Sequence, residues 1–299
     1  MRITSNDAGR RLDRVLRKAL PDIPLCGIHK MLRKKNILLD GASACPNTQT
    51  VEGQTIMIKN FQMPQKNEAL PLSLPSKAAG RQCHLDILYE GGGILVLNKA
   101  AGIATHGENS LETQVRAYLQ PKMENSLSFK SGPLHRLDRN TSGIVTFSTS
   151  LDGAQKFSAA LQAGLLTKTY IAIFDGKLQD STWHDFMRRD TNVKKTFVEL
   201  NKSASKKTKE AVCDVHTLSF NGKQTLALVT IKTGRTHQIR AASQAHGHPL
   251  SGDKKYGSMT RPPYFLHALS LKFGDDTFGV RQITAPLPTG SPMRLFLKL

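Results

Sequence analysis

The stretch Leu134-His135-Arg136-Leu137-Asp138-Arg139-Asn140-Thr141-Ser142-Gly143 runs without a break into Ile144-Val145-Thr146-Phe147. Polar turn formers followed by an apolar, β-branched run read as a turn feeding a buried strand. Asp138 stands between Arg136 and Arg139 in that turn. Flanking cations keep a carboxylate ionised, and an ionised carboxylate serves as a nucleophile or a base. A surface salt-bridge cluster at a turn leaves the same pattern, so spacing alone keeps both readings open.

On the N-terminal side, Ile94-Leu95-Val96-Leu97 reads as a buried strand. Leu111, Val115, Tyr118 and Leu119 share one helical face, which Pro121 ends. Gly91-Gly92-Gly93 lacks the Lys-Ser/Thr of a phosphate-binding loop and reads as a turn. On the C-terminal side, Tyr170-Ile171-Ala172-Ile173-Phe174 and Leu226-Ala227-Leu228-Val229 are further strands. Residues 194 to 210, rich in Lys and Ser, read as an exposed loop. Helices of doubly wound length are not interleaved regularly with the strands. The expected fold class is therefore α+β, with a mixed or antiparallel sheet rather than a Rossmann arrangement.

A second polar cluster, Lys232-Thr233-Gly234-Arg235-Thr236-His237-Gln238-Ile239-Arg240, follows the strand near Leu228 and opens a helix with Thr236 as the expected N-cap. Arg235 and Arg240 place two guanidinium groups near one strand end, suited to a carboxylate partner or to RNA phosphates. A solvated basic face is the competing reading. The histidines do not fall at metal-motif spacing, and His135 and His237 read as makers of structural hydrogen bonds. The four cysteines, Cys26, Cys45, Cys83 and Cys213, form no CxxC-type pair, so neither zinc nor any other metal is expected.

Residues 1 to about 62 read as a separate α+β module. Leu12, Val15, Leu16, Ala19 and Leu20 form one helical face, stopped by Pro21 and Pro24. A second helix is expected over Ile28 to Lys35, carrying Lys30, Arg33, Lys34 and Lys35 outward. Ile37-Leu38-Leu39 is a strand entering a turn at Asp40-Gly41, and Ile56 and Ile58 mark a closing strand. Pro64, Pro71 and Pro75 punctuate a linker over 63–80, and the larger domain spans 81–299.

The 42 Lys and Arg against 23 Asp and Glu give a formal charge of +19. That excess points to a polyanionic partner, with nucleic acid favoured over an anionic membrane surface. No apolar run approaches the ~20 residues of a transmembrane helix. The N-terminus lacks a signal-peptide stretch, so a cytoplasmic protein with no membrane partner is expected.

Taken together, HRLDRNTSG (135–143), KTGRTHQIR (232–240), GHPLSGDKKYG (247–257), Leu97-Asn98-Lys99-Ala100-Ala101-Gly102 and Lys168-Thr169-Tyr170 resemble, in order, the motifs of the RluA family of RNA pseudouridine synthases. Gly9-Arg10-Arg11-Leu12-Asp13-Arg14-Val15-Leu16 and the basic second helix resemble an S4 RNA-binding domain. The arrangement is similar to the large-subunit ribosomal RNA enzymes of the RluC and RluD type, which favours ribosomal over transfer RNA as the partner. The resemblance implies a cofactor-free, monomeric isomerase with Asp138 as its catalytic aspartate, acting by attack on C1′ or through a glycal. It further implies that Tyr170 stacks on the base and serves proton transfer, and that Arg240 pairs with Asp138. Arg136 would fill the gap left by a flipped uridine. Ile239 and Leu266 would form an apolar wall, while Arg235 and, in the N-terminal module, Arg11, Arg14, Arg33 and Lys34 would hold RNA. The family usually has Pro where this chain has Ala100, which implies a less rigid first-motif loop. The competing functions are a non-catalytic RNA-binding protein and a DNA base-excising glycosylase. Activity on uridine-containing RNA, against deoxyuridine DNA, separates them.

Overall fold

The computed structural model describes residues 1–59, 85–122, 126–199, 208–292 and 296. The expected linker 63–80 and Cys83 lie outside the described residues. The chain forms two compact units, the first combining residues 1–84 with 116–132 and 149–152, and the second holding the remainder.

In the first unit, helices α1 (Leu12–Ala19) and α2 (Leu25–Arg33) pack with a small antiparallel sheet. That sheet is ordered β2 (Ala42–Ser43), β1 (Ile37–Leu39), β3 (Ile56–Ile58). Leu12, Val15, Leu16, Ile28, Leu32, Ile37 and Ile56 are its buried core. The helical spacing thus puts the apolar stripe inward and leaves Arg14, Arg17, Lys18, Lys30, Arg33 and Lys34 exposed. Two expectations shift. The second helix starts at Leu25 rather than Ile28, and Pro24 opens it as N-cap instead of closing α1. A proline there meets no helical donor requirement, and its fixed φ of −65° suits a helix entry. The Asp7 carboxylate ties distant sequence into this unit. It accepts hydrogen bonds from Ser126 Oγ (2.7 Å), the Leu127 amide (3.0 Å), and both the amide and hydroxyl of Ser128 (2.8 and 2.6 Å).

The second unit is built on β4 (Ile87–Gly91), β5 (Ile94–Lys99), β6 (Ser142–Ser148), β7 (Leu166–Asp175), β8 (Ser181–Asp190), β9 (Lys195–Glu199), β10 (Thr208–Phe220), β11 (Gln224–Ile231), β12 (Leu266–Phe273) and β13 (Gln282–Thr284). Of the helices, α5 (Gln238–Ala245) belongs wholly to this unit, while α3 (Leu111–Leu119) and α4 (Leu151–Gln162) are shared with the first. The strands form one sheet ordered β4-β5-β6-β12-β7-β11-β10-β8-β9, with β13 on β12. Every pairing is antiparallel except β6 with β12, so the sheet is mixed, as expected. The loop expected over 194–210 is corrected. Lys195–Glu199 is β9 and Thr208 begins β10, leaving only 200–207 outside the described residues. The Lys-rich composition misled. Thr196, Phe197 and Val198 are strand formers with a ready partner in β8, and Thr196 is buried.

The parallel contact is two residues long, Ser142 with His267 and Gly143 with Ala268. Gly143 has φ +102°, and a Cβ there would stand 2.2 Å from the Ala268 carbonyl oxygen. Only glycine lets the strand leave the Asp138 turn and meet β12 this closely.

Two outcomes are expected. Gly143→Ala combines backbone strain with overpacking and should lower unfolding free energy by about 2–6 kcal/mol, read by denaturant melts. For Asp7, burial pushes the carboxyl up, but hydrogen bonds from Ser128, Ser126, Thr4 and Leu127 outweigh it and hold it at about 2, below the ordinary 3.8. A folded-state pKa below the unfolded value stabilises above the unfolded value, and that stability fades as pH falls towards 2. Asp7→Asn should therefore lower the melting temperature at neutral pH, and the difference from wild type should shrink on acidification through that window. A constant difference would refute it.

Candidate active site

The turn carrying Asp138 is held by the loop after β5. Lys99 is fully buried, and its ammonium donates to the carbonyls of Ala100 (2.9 Å), Ile103 (2.8 Å) and Arg139 (3.1 Å). Burial pulls this ammonium down to about 8, against the opposing pull of the Asp138 charge. The Gly102 amide donates to the Arg139 carbonyl and Arg139 Nε donates back to the Gly102 carbonyl, both at 2.8 Å. Thr105 Oγ1 donates to the Leu137 carbonyl at 3.0 Å. The loop after β5 is thus fastened through the Ala100 and Ile103 carbonyls by the Lys99 ammonium.

The cations beside Asp138 in sequence are not the ones that touch it. Arg139 turns to Gly102, and Arg136 is exposed. The partner is Arg240, whose Nη1 lies 2.9 Å from Asp138 Oδ2. Its remaining edge is taken by Asp253, with Nε to Oδ2 at 2.6 Å and Nη2 to Oδ1 at 2.9 Å. The guanidinium also lies over the Tyr256 and Tyr264 rings, 4.9 and 4.7 Å from their centroids. Burial opposes the Arg240 charge, but the Asp253 bonds outweigh it and hold the group protonated. Such bidentate, charge-assisted pairing fixes direction as well as charge.

Around Asp138 lie two adjoining depressions of about 60 and 420 Å³. Asp138, Tyr170, Arg136, Arg235 and His237 line both, and Ile239, Leu266 and Arg240 line the smaller. All the site residues expected from the larger domain therefore meet in one cleft. Tyr170 is buried on β7, and burial, with the Asp138 charge, pushes its hydroxyl well above the ordinary phenol range, so it is a neutral phenol. Arg11, Arg14, Arg33 and Lys34 belong to the first unit, where all four are exposed and Arg11 pairs with Asp13 at 2.7 Å.

The start of α5 differs from expectation. Its N-cap is His237, in a left-handed conformation at φ 54°, not Thr236. Gln238 organises the preceding loop instead, its Oε1 accepting from the Arg235 amide (3.0 Å) and Thr233 Oγ1 (2.8 Å). Sequence reasoning missed Asp253, Tyr256 and Tyr264, and took His237 as merely structural. Asp253 and Tyr256 lie inside the GHPLSGDKKYG stretch, so the motif held them without naming their contacts. Among the described residues no group of three or more His, Cys, Asp or Glu is arranged to hold a metal, and no helix is long and apolar enough to cross a membrane.

Removing the guanidinium leaves two carboxylates facing each other in a buried site. Arg240→Met should cost about 3–5 kcal/mol of stability, and adding Asp253→Asn should recover part of it. Thermal and denaturant melts of the single and double variants measure this, and strict additivity would refute the coupling.

Comparison with known proteins finds a matching family and relatives aligned along most of the chain. A family model described as RNA pseudouridylate synthase matches residues 93–245. Ribosomal large subunit pseudouridine synthase C of Rickettsia bellii is 28% identical over 302 residues, covering 93% of this chain and 95% of the relative. The protein of that name from Escherichia coli K12 is 29% identical over 305 residues, covering 96% and 92%. The solved structure of human RNA Pseudouridylate Synthase Domain Containing 1 aligns with TM-score 0.54 at 26% identity, over 69% of this chain and 84% of that one. Human RNA Pseudouridylate Synthase Domain Containing 4 shares the fold at TM-score 0.55 and 20% identity, over 68% and 88%. With the matched region spanning more than half of the sequence, the chain belongs to the RNA pseudouridylate synthase family.

Proposed function

We propose that this chain converts specific uridines of large-subunit ribosomal RNA to pseudouridine, with Asp138 as the catalytic carboxylate. The observation that carries the reading is a carboxylate held through one oxygen by a buried arginine, in a cleft walled by Tyr170, Ile239 and Leu266. The choice of RNA follows the names of the relatives aligned across nearly the whole chain.

The reaction exchanges the C1′–N1 bond for a C1′–C5 bond, and a proton leaves C5 as N1 gains one. It is redox neutral. Asp138 promotes breakage of the glycosidic bond, by attack at C1′ or by removing a ribose proton to give a glycal. The apolar wall holds the freed uracil while it turns. Tyr170, a neutral phenol, stacks on the ring and takes part in the proton transfer. A uridine must leave its stack to reach this cleft, at a cost of a few kcal/mol, and the exposed Arg136 offsets part of that by filling the gap. Arg235 at the cleft, and Arg11, Arg14, Arg33 and Lys34 on an S4-like module over residues 1–62, hold phosphates. The enzyme works as a cytoplasmic monomer without a cofactor.

Asp138→Asn should reduce single-turnover rate by more than the ~10²–10⁴ typical of losing an acid–base group, with RNA affinity within a few-fold of wild type. Tritium release from C5-labelled uridine in a ribosomal RNA transcript measures it, and retention of a tenth of the activity would sink the assignment. Replacing Arg11, Arg14, Arg33 and Lys34 by glutamine should flatten the dependence of log K on log salt by about 0.7–0.9 for each phosphate no longer neutralised, leaving the rate at saturating RNA unchanged. An unaltered slope would remove the first unit from the RNA interface.

A further inference from the structure

Asp138 Oδ2 faces two side chains, not one. Besides Arg240, His237 Nε2 lies 3.6 Å away. Asp138 Oδ1 makes no hydrogen bond among the described residues. The other imidazole nitrogen, Nδ1, is the informative one. It lies 2.8 Å from Tyr256 Oη and 3.4 Å from Arg189 Nη1. A guanidinium has donors only, so a proton on Nδ1 would point at another proton and at a cation. Tyr256 Oη already accepts the Thr196 amide at 3.0 Å, which leaves its hydroxyl proton to be donated to Nδ1. Nδ1 is therefore an acceptor, and in the neutral ring the single proton sits on Nε2.

The neutral form is what the surroundings favour. Burial pulls the imidazole down to about 4; Asp138 opposes this, while Arg240, Arg189 and Lys255 add to it. These groups come from the turn before β6, from α5, from β8 and from the one-turn helix Lys254–Tyr256. The backbone adds a constraint of its own, since a histidine at φ 54° persists only where its surroundings over-determine it.

We infer that His237 is a positioning residue, locked by Tyr256, Thr196 and Arg189 with its proton on Nε2, so that with Arg240 it engages Asp138 Oδ2 and leaves Oδ1 as the oxygen presented to substrate. The role of Oδ1 rests on the reading of Asp138 as the reacting group. The tautomer does not.

Ring ¹⁵N shifts of His237 in the full-length free enzyme at neutral pH test the tautomer directly. Nδ1 should resonate as an unprotonated acceptor and Nε2 as N–H, and Tyr256→Phe should move both towards a mixture. A protonated Nδ1, or a mixture in the wild type, overturns the proposal whatever the activity. His237→Asn tolerates the left-handed backbone but withdraws the group at Nε2. Its single-turnover rate at saturating RNA should fall about 3- to 10-fold, as for loss of a polar contact longer than a hydrogen bond, with RNA affinity unchanged. His237→Gln, whose longer amide returns an N–H near the Nε2 position, should restore most of the rate. Equal losses in both variants, or wild-type rate in His237→Asn, overturn it. If Asp138→Asn stays active while the shifts are as expected, the functional reading fails and the tautomer stands.

Discussion

One buried guanidinium organises the catalytic half of this protein. Moving an unpaired ion out of water costs several kcal/mol even after relaxation, so Arg240 is tolerable only because its edges are met. Asp253 takes two donors, Asp138 takes a third, and Tyr256 and Tyr264 each offer a ring face. Three elements must arrive together for this to happen: α5 with Arg240, the one-turn helix with Asp253 at its start, and the turn before β6 with Asp138. Asp253 lies within the protein, buried, while Asp138 lines the cleft. The pair divides the labour, one carboxylate anchoring the arginine and the other facing out.

Aim at this scale depends on the backbone beneath. The turn bearing Asp138 is tied to the loop after β5 by Lys99, whose ammonium gathers three carbonyls from two loops. On the other side, β6 is pinned to β12 by a parallel contact too short to be a ladder, at a glycine that admits no side chain. A carboxylate set between these two attachments is positioned by main chain on both sides, which is the rigidity a reacting group requires.

Much of this was legible in the sequence. The apolar runs at Ile94–Leu97, Ile144–Phe147 and Tyr170–Phe174 are buried strands, and the helical face of Leu12, Val15 and Leu16 is core. Asp138, Tyr170, Arg240, Ile239 and Leu266 do share a cleft. What failed depended on contacts between distant residues. The cations flanking Asp138 in sequence do not touch it, and the pairing with Arg240, 102 positions away, was legible only through the motif resemblance. Composition made a loop of Lys195–Glu199 because the partner strand that orders it is invisible locally. Thr236 obeyed the local rule for a cap, but Gln238 reached back and His237 took the strained position. The noncontiguous membership of the first unit has no local signature at all, since residues 126–128 join it through Asp7.

That last arrangement has a temporal side. Domains near an N-terminus ordinarily fold while the remainder is still being made, at roughly 5–20 residues per second. The first unit departs from that schedule. Its Asp7 must wait for Ser126 to Ser128, and Asn6 Oδ1 accepts from the Leu151 amide, 145 positions downstream. At that synthesis rate, roughly 7–30 s separate Asn6 from its partner. During that interval Asp7 has only its local partner Thr4 and lacks Ser126, Leu127 and Ser128. The first unit therefore completes its hydrogen bonds only once residues 126–128 and 151 have been made.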